Sequence, residues 1–232
     1  MKANPDKCHL LLSTKEDKSI EIDGHKISNS NCEKLLGVII DSQLKFNVHL
    51  EALIKKANQK VHVLARITPY MSIPKRKLLM NSFFMSQFNY CPLVWMCHSR
   101  KLNNKINRLH ERCLRIVYND KTSSFEELLS KDGSVTIHTR NLQVLATEMF
   151  KVRKDMSPAI MKEIFQVREN PYDLRQNSYF AIPKVNSVYH GSESISNLGP
   201  RIWNLVPDRL KEIADLSSFK YEIKKWKRGL VL

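Results

Sequence analysis

The sequence predicts an α+β fold that is mostly α. A short β-rich segment comes first, helices follow, and an irregular tail with short helices closes the chain. Three observations predict this. Strand-like apolar runs and a hairpin turn signal are confined to residues 7–41. From residue 47 onward, apolar residues recur at helical spacing. Between 166 and 200 the periodicity stops, and Pro171, Pro183, Gly191, Gly199 and Pro200 punctuate polar sequence. Four segments result: 1–45, 46–120, 121–165 and 166–232.

The elements follow in order. Cys8 to Leu12 is an apolar run with strand character. Ile20 and Ile22, then Lys26 and Ile27, flank Asp23-Gly24, a two-residue hairpin signal. Leu35 to Ile40 reads as one strand, continuous enough to be buried on both faces. Asn47 is placed to cap a helix with Leu50, Leu53, Ile54, Ala57, Val61, Leu64 and Ile67 inward, and Thr68-Pro69 ends it. Ser72 and Pro74 start a second helix containing Leu78, Leu79, Phe83 and Phe84. Pro92 bends or breaks the apolar segment from Phe88 to Trp95. Ser99 caps a third helix with Leu102, Ile106, Leu109, Cys113 and Ile116 on one face. Ser124 starts a short helix that Asp132-Gly133 stops. Residues 137–153 form a longer one with Leu142, Leu145, Met149 and Phe150 inward. Ser157-Pro158 opens another short helix. Residues 166–200 are the linker or irregular-loop candidate, and helices near 207–214 and 218–228 close the chain.

Charge is the first functional signal. Lys and Arg number 38 against 23 Asp and Glu, a formal excess of +15 over 232 residues. Such an excess suits a polyanionic partner. Between Glu51 and Glu111 there is no acidic residue at all, while Lys55, Lys56, Lys60, Lys101, Lys105 and Arg108 fall there with other cations. Lys101, Lys105, Arg108, Arg112 and Arg115 step by four, three, four and three, so they share one side of a helix. A row of cations at ~5–6 Å steps can follow a phosphate backbone and release its counterions. The plain alternative is a solvated basic face.

No run approaches the ~20 apolar residues of a membrane span, and no apolar leader opens the chain. The expectation is a protein that is not secreted, in the cytoplasm or the nucleus, with Cys8, Cys32, Cys91, Cys97 and Cys113 as free thiols. No membrane partner and no small-molecule substrate are expected. The nucleophile elbow, the P-loop and the dinucleotide fingerprint are all absent, and no Asp-Asp pair occurs. Cys91, Cys97, His98, His110 and Cys113 form a loose zinc alternative without C-x-x-C spacing, so no metal site is assigned.

Several segments in order carry a resemblance. They are Asn4-Pro5-Asp6-Lys7-Cys8; Leu35-Leu36-Gly37-Val38-Ile39-Ile40-Asp41 with Leu44, Phe46 and His49; Tyr90-Cys91-Pro92-Leu93-Val94-Trp95; Ile106 to Val117; Tyr172-Asp173-Leu174-Arg175; and Gly199-Pro200-Arg201-Ile202-Trp203-Asn204-Leu205-Val206-Pro207 with Phe219-Lys220. Together they resemble the reverse transcriptase of non-LTR (LINE-type, jockey-like) retrotransposons, downstream of its catalytic centre. The resemblance covers nearly the whole chain. It implies a palm edge and primer-grip hairpin, then a helical thumb-like region and a tail. Lys7 would match the palm-motif lysine, and Leu36 and Gly37 the primer-grip turn.

The family's metal-binding aspartates lie upstream of the motif that holds Lys7. The resemblance therefore implies a fragment of an RNA-directed DNA polymerase with no complete catalytic set. Such a fragment binds RNA, DNA or an RNA–DNA hybrid without sequence preference and does not polymerise alone. No cofactor is expected in it; Mg²⁺ belongs to the full-length parent only. The nucleic-acid-binding residues expected are Leu36, Gly37, Lys55, Lys56, Lys60, Lys101, Lys105, Arg108, Arg112 and Arg115. A second reading is a nucleic-acid-binding or scaffold protein co-opted from such an element.

Overall fold

A computed structural model of the chain describes residues 4–13, 18–167, 180–187, 191–192 and 194–226. Within them the chain is α+β and mostly helical, with small sheets near the N-terminus followed by helices. It divides into two compact units. The first comprises Met1–Cys91 with His98–Asn119, the second Pro92–Cys97 with Asp120–Leu232.

The first unit opens on a 3-10 turn, Pro5–Lys7, capped by the Asn4 side chain. Strands β1 (Leu10–Leu11), β2 (Ser19–Ile22) and β3 (His25–Ser30) form a sheet in the order β1-β3-β2, with β1 parallel to β3. Asp23-Gly24 joins β2 to β3 as the sequence predicts, with φ of 49° and 78°. Both residues are left-handed, the geometry a two-residue hairpin turn needs.

The strand expected from Leu35 to Ile40 is instead a second hairpin. β4 (Cys32–Leu35) pairs antiparallel with β5 (Val38–Asp41), and Leu36-Gly37 form the turn with φ of 47° and 89°. The apolar run therefore splits. Val38 is buried, whereas Leu36 is 83% exposed at the tip. The glycine inside the run was the signal, because an interior Gly marks a bend more often than a buried strand.

Helix α1 (Asn47–Ile67) buries Leu50, Leu53, Ala57, Val61 and Leu64, as its periodicity predicts. Its start differs from expectation. Asn47 is the first helical residue, and Phe46, with no side-chain cap, sits before it. Asp41 fixes the loop that precedes the helix, accepting from the backbone N–H groups of Gln43, Lys45 and Phe46.

Helix α2 (Ile73–Met80) runs through a π turn (Asn81–Met85) into α3 (Ser86–Asn89). A π turn holds more residues than an α turn, so the apolar stripe shifts phase there. Met80, Phe84, Met85 and Phe88 face inward, and Leu78 is exposed, against the simple helical expectation. Arg76 donates to the carbonyls of Met71 and Val117, which gives this cation a structural use.

In the second unit, α4 (Pro92–Trp95) is a single turn that packs on α7. Helix α5 (Arg100–Tyr118) belongs to the first unit and is capped by Ser99, which accepts from Leu102 N–H. Helix α6 (Phe125–Asp132) has a capping box from Ser124 and Glu127 and stops at Gly133. Helix α7 (Ile137–Arg153) is the core helix of the second unit. Short helix α8 (Ala159–Ile164) follows.

The irregular stretch expected over 166–200 is partly ordered core. Phe180 is buried and bridges to Val167, and helix α9 (Ile195–Leu205) begins inside that stretch. Gly199 and Pro200 lie within α9, and they hid it from pattern reading. A Cβ on Gly199 would sit 2.7 Å from both Met149 Sδ and Phe165 Cε1, so glycine is what lets α9 close on its neighbours. Asn204 of α9 exchanges hydrogen bonds with both backbone polar groups of Phe180. Helices α10 (Asp208–Lys211) and α11 (Leu216–Lys225) close the unit, the first shorter than expected. Tyr172 to Arg175 lie outside the described residues, as do Lys227 and Arg228, which the sequence reading places at the end of a helix near 218–228.

Candidate nucleic-acid interface

The predicted cations are built onto two helices of the first unit that pack against each other, α1 and α5. Helix α5 buries Leu102, Ile106, His110, Cys113, Leu114 and Val117 and keeps Lys101, Lys105, Arg108 and Arg112 exposed. The two helices border a groove of about 630 Å³. Lys55 faces it from α1, and Lys105, Arg108 and Arg112 face it from α5. Ile54 and Leu109, expected inward, form part of its floor. None of these four cations makes an ion pair or hydrogen bond among the described residues. One carboxylate, Glu51, shares the groove, and no ion pair holds it either. The local balance is four cations to one anion.

Other predicted residues are placed differently. Lys56 turns away from Lys55 into a second cleft of about 340 Å³, with Gly37, Lys34, His49 and Tyr90. That separation is helical geometry, since neighbouring residues point about 100° apart. Leu36 sits exposed at the hairpin tip, and Tyr90 Oη donates to its carbonyl. Lys60 lies over the Phe83 ring at 5.6 Å. Arg115 does not extend the free row. Its guanidinium pairs with Glu111 one turn earlier, at 2.6 Å. Lys7 is exposed on the turn that leads into β1.

Sequence reasoning missed Lys34 and Glu51 as parts of these clefts. Lys34 is an exposed residue of β4 with no pattern to single it out, and in the sequence Glu51 marks the edge of the acid-free interval and reads as an isolated surface or cap carboxylate.

The segment from Leu36 to His49 is a structural junction as well as a cleft wall. Leu44 and Phe46 adopt φ of 54° and 55°, left-handed for non-glycine residues. Asp41 holds that loop through its three acceptor bonds. His49 is buried, and its Nδ1 accepts the Ile39 N–H at 3.3 Å, which fastens β5 to α1. That bond requires an unprotonated Nδ1. Burial, and then the nearby Lys56 charge, lower the His49 pKa below its ordinary value of 6.5.

A depressed histidine stabilises the fold above the unfolded pKa and loses that contribution as pH falls through the folded one. Stability is therefore expected to drop as pH falls below about 6.5. Half-buried His138 in the second unit, its pKa also lowered by burial, acts in the same direction. The His49→Gln variant should thus show a shallower, not a flat, dependence of melting temperature on pH between 7 and 5. An unchanged slope would contradict the role given to His49.

Cys113 and His110 are core residues here, the His110 ring stacked on Phe84 with centroids 5.8 Å apart. Cys97 packs against the core of the second unit. Among the described residues no three His, Cys, Asp or Glu side chains are grouped to hold a metal ion. Nor, among them, is any helix long and apolar enough to cross a membrane.

Comparison with known proteins adds no relative. No family model matches the chain, no curated protein matches it, and no solved structure matches it.

Proposed function

We propose that this chain binds the phosphate backbone of RNA, DNA or an RNA–DNA hybrid, without sequence preference, along the α1–α5 groove. The observation that carries this reading is the convergence of Lys55, Lys105, Arg108 and Arg112 on one groove with no ion pair or hydrogen bond for their charge among the described residues. Lys101, exposed one turn before Lys105, lengthens the row. Among the described residues the four cations outnumber the single amide, Asn58, and the single carboxylate, Glu51, that line the groove, so its contacts are expected to position a backbone more than to read sequence.

The resemblance to a non-LTR retrotransposon reverse transcriptase gives this binding a context. In that reading the Leu36-Gly37 hairpin is the primer-grip turn, and α1 to α5 are thumb-like. The fold supports it to the extent that those two residues do form a tight hairpin tip packed by Tyr90. The chain has no Asp-Asp pair to hold two Mg²⁺ ions, so the proposal assigns it binding and not polymerisation.

The test is a salt titration of binding to labelled duplexes of unrelated sequence. About five phosphate contacts give a slope of roughly −4 to −5 in log K against log salt on duplex DNA. Affinity should differ little between sequences. A flat salt response, or strong preference for one sequence, would sink the electrostatic reading. Glu51 supplies a second check. As an unpaired carboxylate among the cations it repels the backbone, with a Coulomb term of about 1 kcal/mol at 4 Å in water. Glu51→Gln should therefore tighten binding a few-fold at low salt and show less gain at high salt.

A further inference from the structure

The second unit contains a cation that the interface above does not use. Arg140 lies in the first turn of α7, half-buried, and lines a cavity of about 320 Å³ bordered by α7 and α11. Among the described residues it makes no hydrogen bond and no ion pair. Burial alone lowers its pKa, with no carboxylate contributing. A guanidinium does not shed its proton at any ordinary pH, so an anion is the partner that would offset this desolvation most strongly. The position makes matters worse, because a cation in a first helical turn opposes the helix dipole.

The surroundings add charge of the same sign. Lys220 and Lys224, one turn apart on α11, face the same cavity. The one carboxylate present, Glu148, is already held by Lys151 at 2.7 Å. Val144 and Ile223 give the cavity apolar walls. Three cations without an ion pair among the described residues, Arg140 half-buried and Lys220 and Lys224 exposed, thus line a space of about 320 Å³, at the small end of the usual ligand-site range of ~300–1,000 Å³.

We propose that this cavity is a binding site for a small phosphomonoester, with Arg140 as the forked ligand and Lys220 and Lys224 as point charges. The arrangement selects phosphate over carboxylate. A guanidinium alone occupies both oxygens of a carboxylate and leaves two lysines unmatched, whereas a phosphate dianion offers three oxygens and the charge to match. The apolar walls suit an organic body attached to the phosphate. This site is in the second unit and goes beyond the reading given to the α1–α5 groove.

Calorimetric titration and thermal unfolding of the whole chain test it, with inorganic phosphate, adenosine monophosphate and adenosine at an ionic strength fixed with chloride. The two phosphates should bind and raise the melting temperature, and adenosine should not. Arg140→Gln should weaken phosphate binding at least tenfold, with Arg140→Lys falling between. The double variant Lys105→Glu/Arg108→Glu should leave it unchanged. Without ligand, Arg140→Gln should melt at or above the wild-type temperature, since an uncompensated charge has been removed. The proposal fails if phosphate does no more than chloride, or if binding survives Arg140→Gln. It also fails if Arg140→Gln lowers the ligand-free melting temperature, which would make the residue a structural one. Tighter binding of a 5′-phosphorylated oligonucleotide than of the mononucleotide would overturn the small-molecule assignment in favour of a nucleic-acid end.

Discussion

Trp203→Ala should be the most destabilising single change in the second unit, at about 3–5 kcal/mol. The side chain is fully buried. Its ring lies 6.4 Å from Phe150, 6.1 Å from Phe180 and 6.0 Å from Phe219, centroid to centroid, so three aromatic contacts are lost together. Phe150 and Phe219 stack on each other at 4.3 Å and hold their positions, which prevents the hole from closing. A cavity that cannot collapse costs the lost transfer energy and the lost dispersion contacts together.

Against a total stability of roughly 5–15 kcal/mol for a domain, that loss is a large fraction. In a chain of this size it corresponds to a fall in melting temperature of roughly 10 °C. Near-ultraviolet circular dichroism during heating reads it directly. Leu36→Ala is the contrast. That side chain is 83% exposed, and its removal should change stability by no more than about 0.5 kcal/mol. A Trp203→Ala loss below about 1 kcal/mol would mean that the aromatic cluster is not close-packed.

The same comparison shows what the sequence could reveal. Helix α7 was legible because no glycine or proline interrupts its apolar residues between 137 and 153; that Thr136 caps it is a finding of the structure. Helix α9 was not, although it carries Trp203. Its Gly199-Pro200 pair reads as a break, and only the close approach of Met149 and Phe165 explains why glycine is needed there. The second hairpin was hidden for the opposite reason. Five apolar residues around one glycine look like one buried strand until the backbone of Leu36 and Gly37 turns left-handed. The work of Asp41 is local. It holds the loop that a capping side chain would otherwise start.

For the candidate interface, the spacing on α5 gave the row, because helical geometry alone puts positions 101, 105, 108 and 112 on one side. What spacing does not give is partnership. Arg115 belongs to the row by its number and leaves it by its bond to Glu111. Arg76, Lys60 and Lys77 are likewise engaged, by carbonyls or by aromatic rings. Which of Lys55 and Lys56 faces α5 depends on how α1 packs, and packing is a tertiary fact.

That distinction between free and engaged cations sets the second large prediction. Lys105→Glu/Arg108→Glu should weaken binding to duplex DNA by about 100-fold or more at 50 mM salt and leave the fold intact. Both side chains are exposed and make no bond among the described residues, so their reversal disturbs no packing. Two phosphate contacts are lost, so the salt slope should become shallower by roughly 2. The new carboxylates also repel the backbone, and that repulsion fades as salt is added. The mutant and wild-type binding curves should therefore converge at high salt. Arg115→Gln provides the internal standard. Its guanidinium already spends its charge on Glu111, so its loss should shift affinity only a few-fold and leave the slope nearly unchanged. Equal effects from the two variants would contradict the distinction between free and engaged cations. A double variant that binds like wild type would remove the α1–α5 groove from the interface altogether.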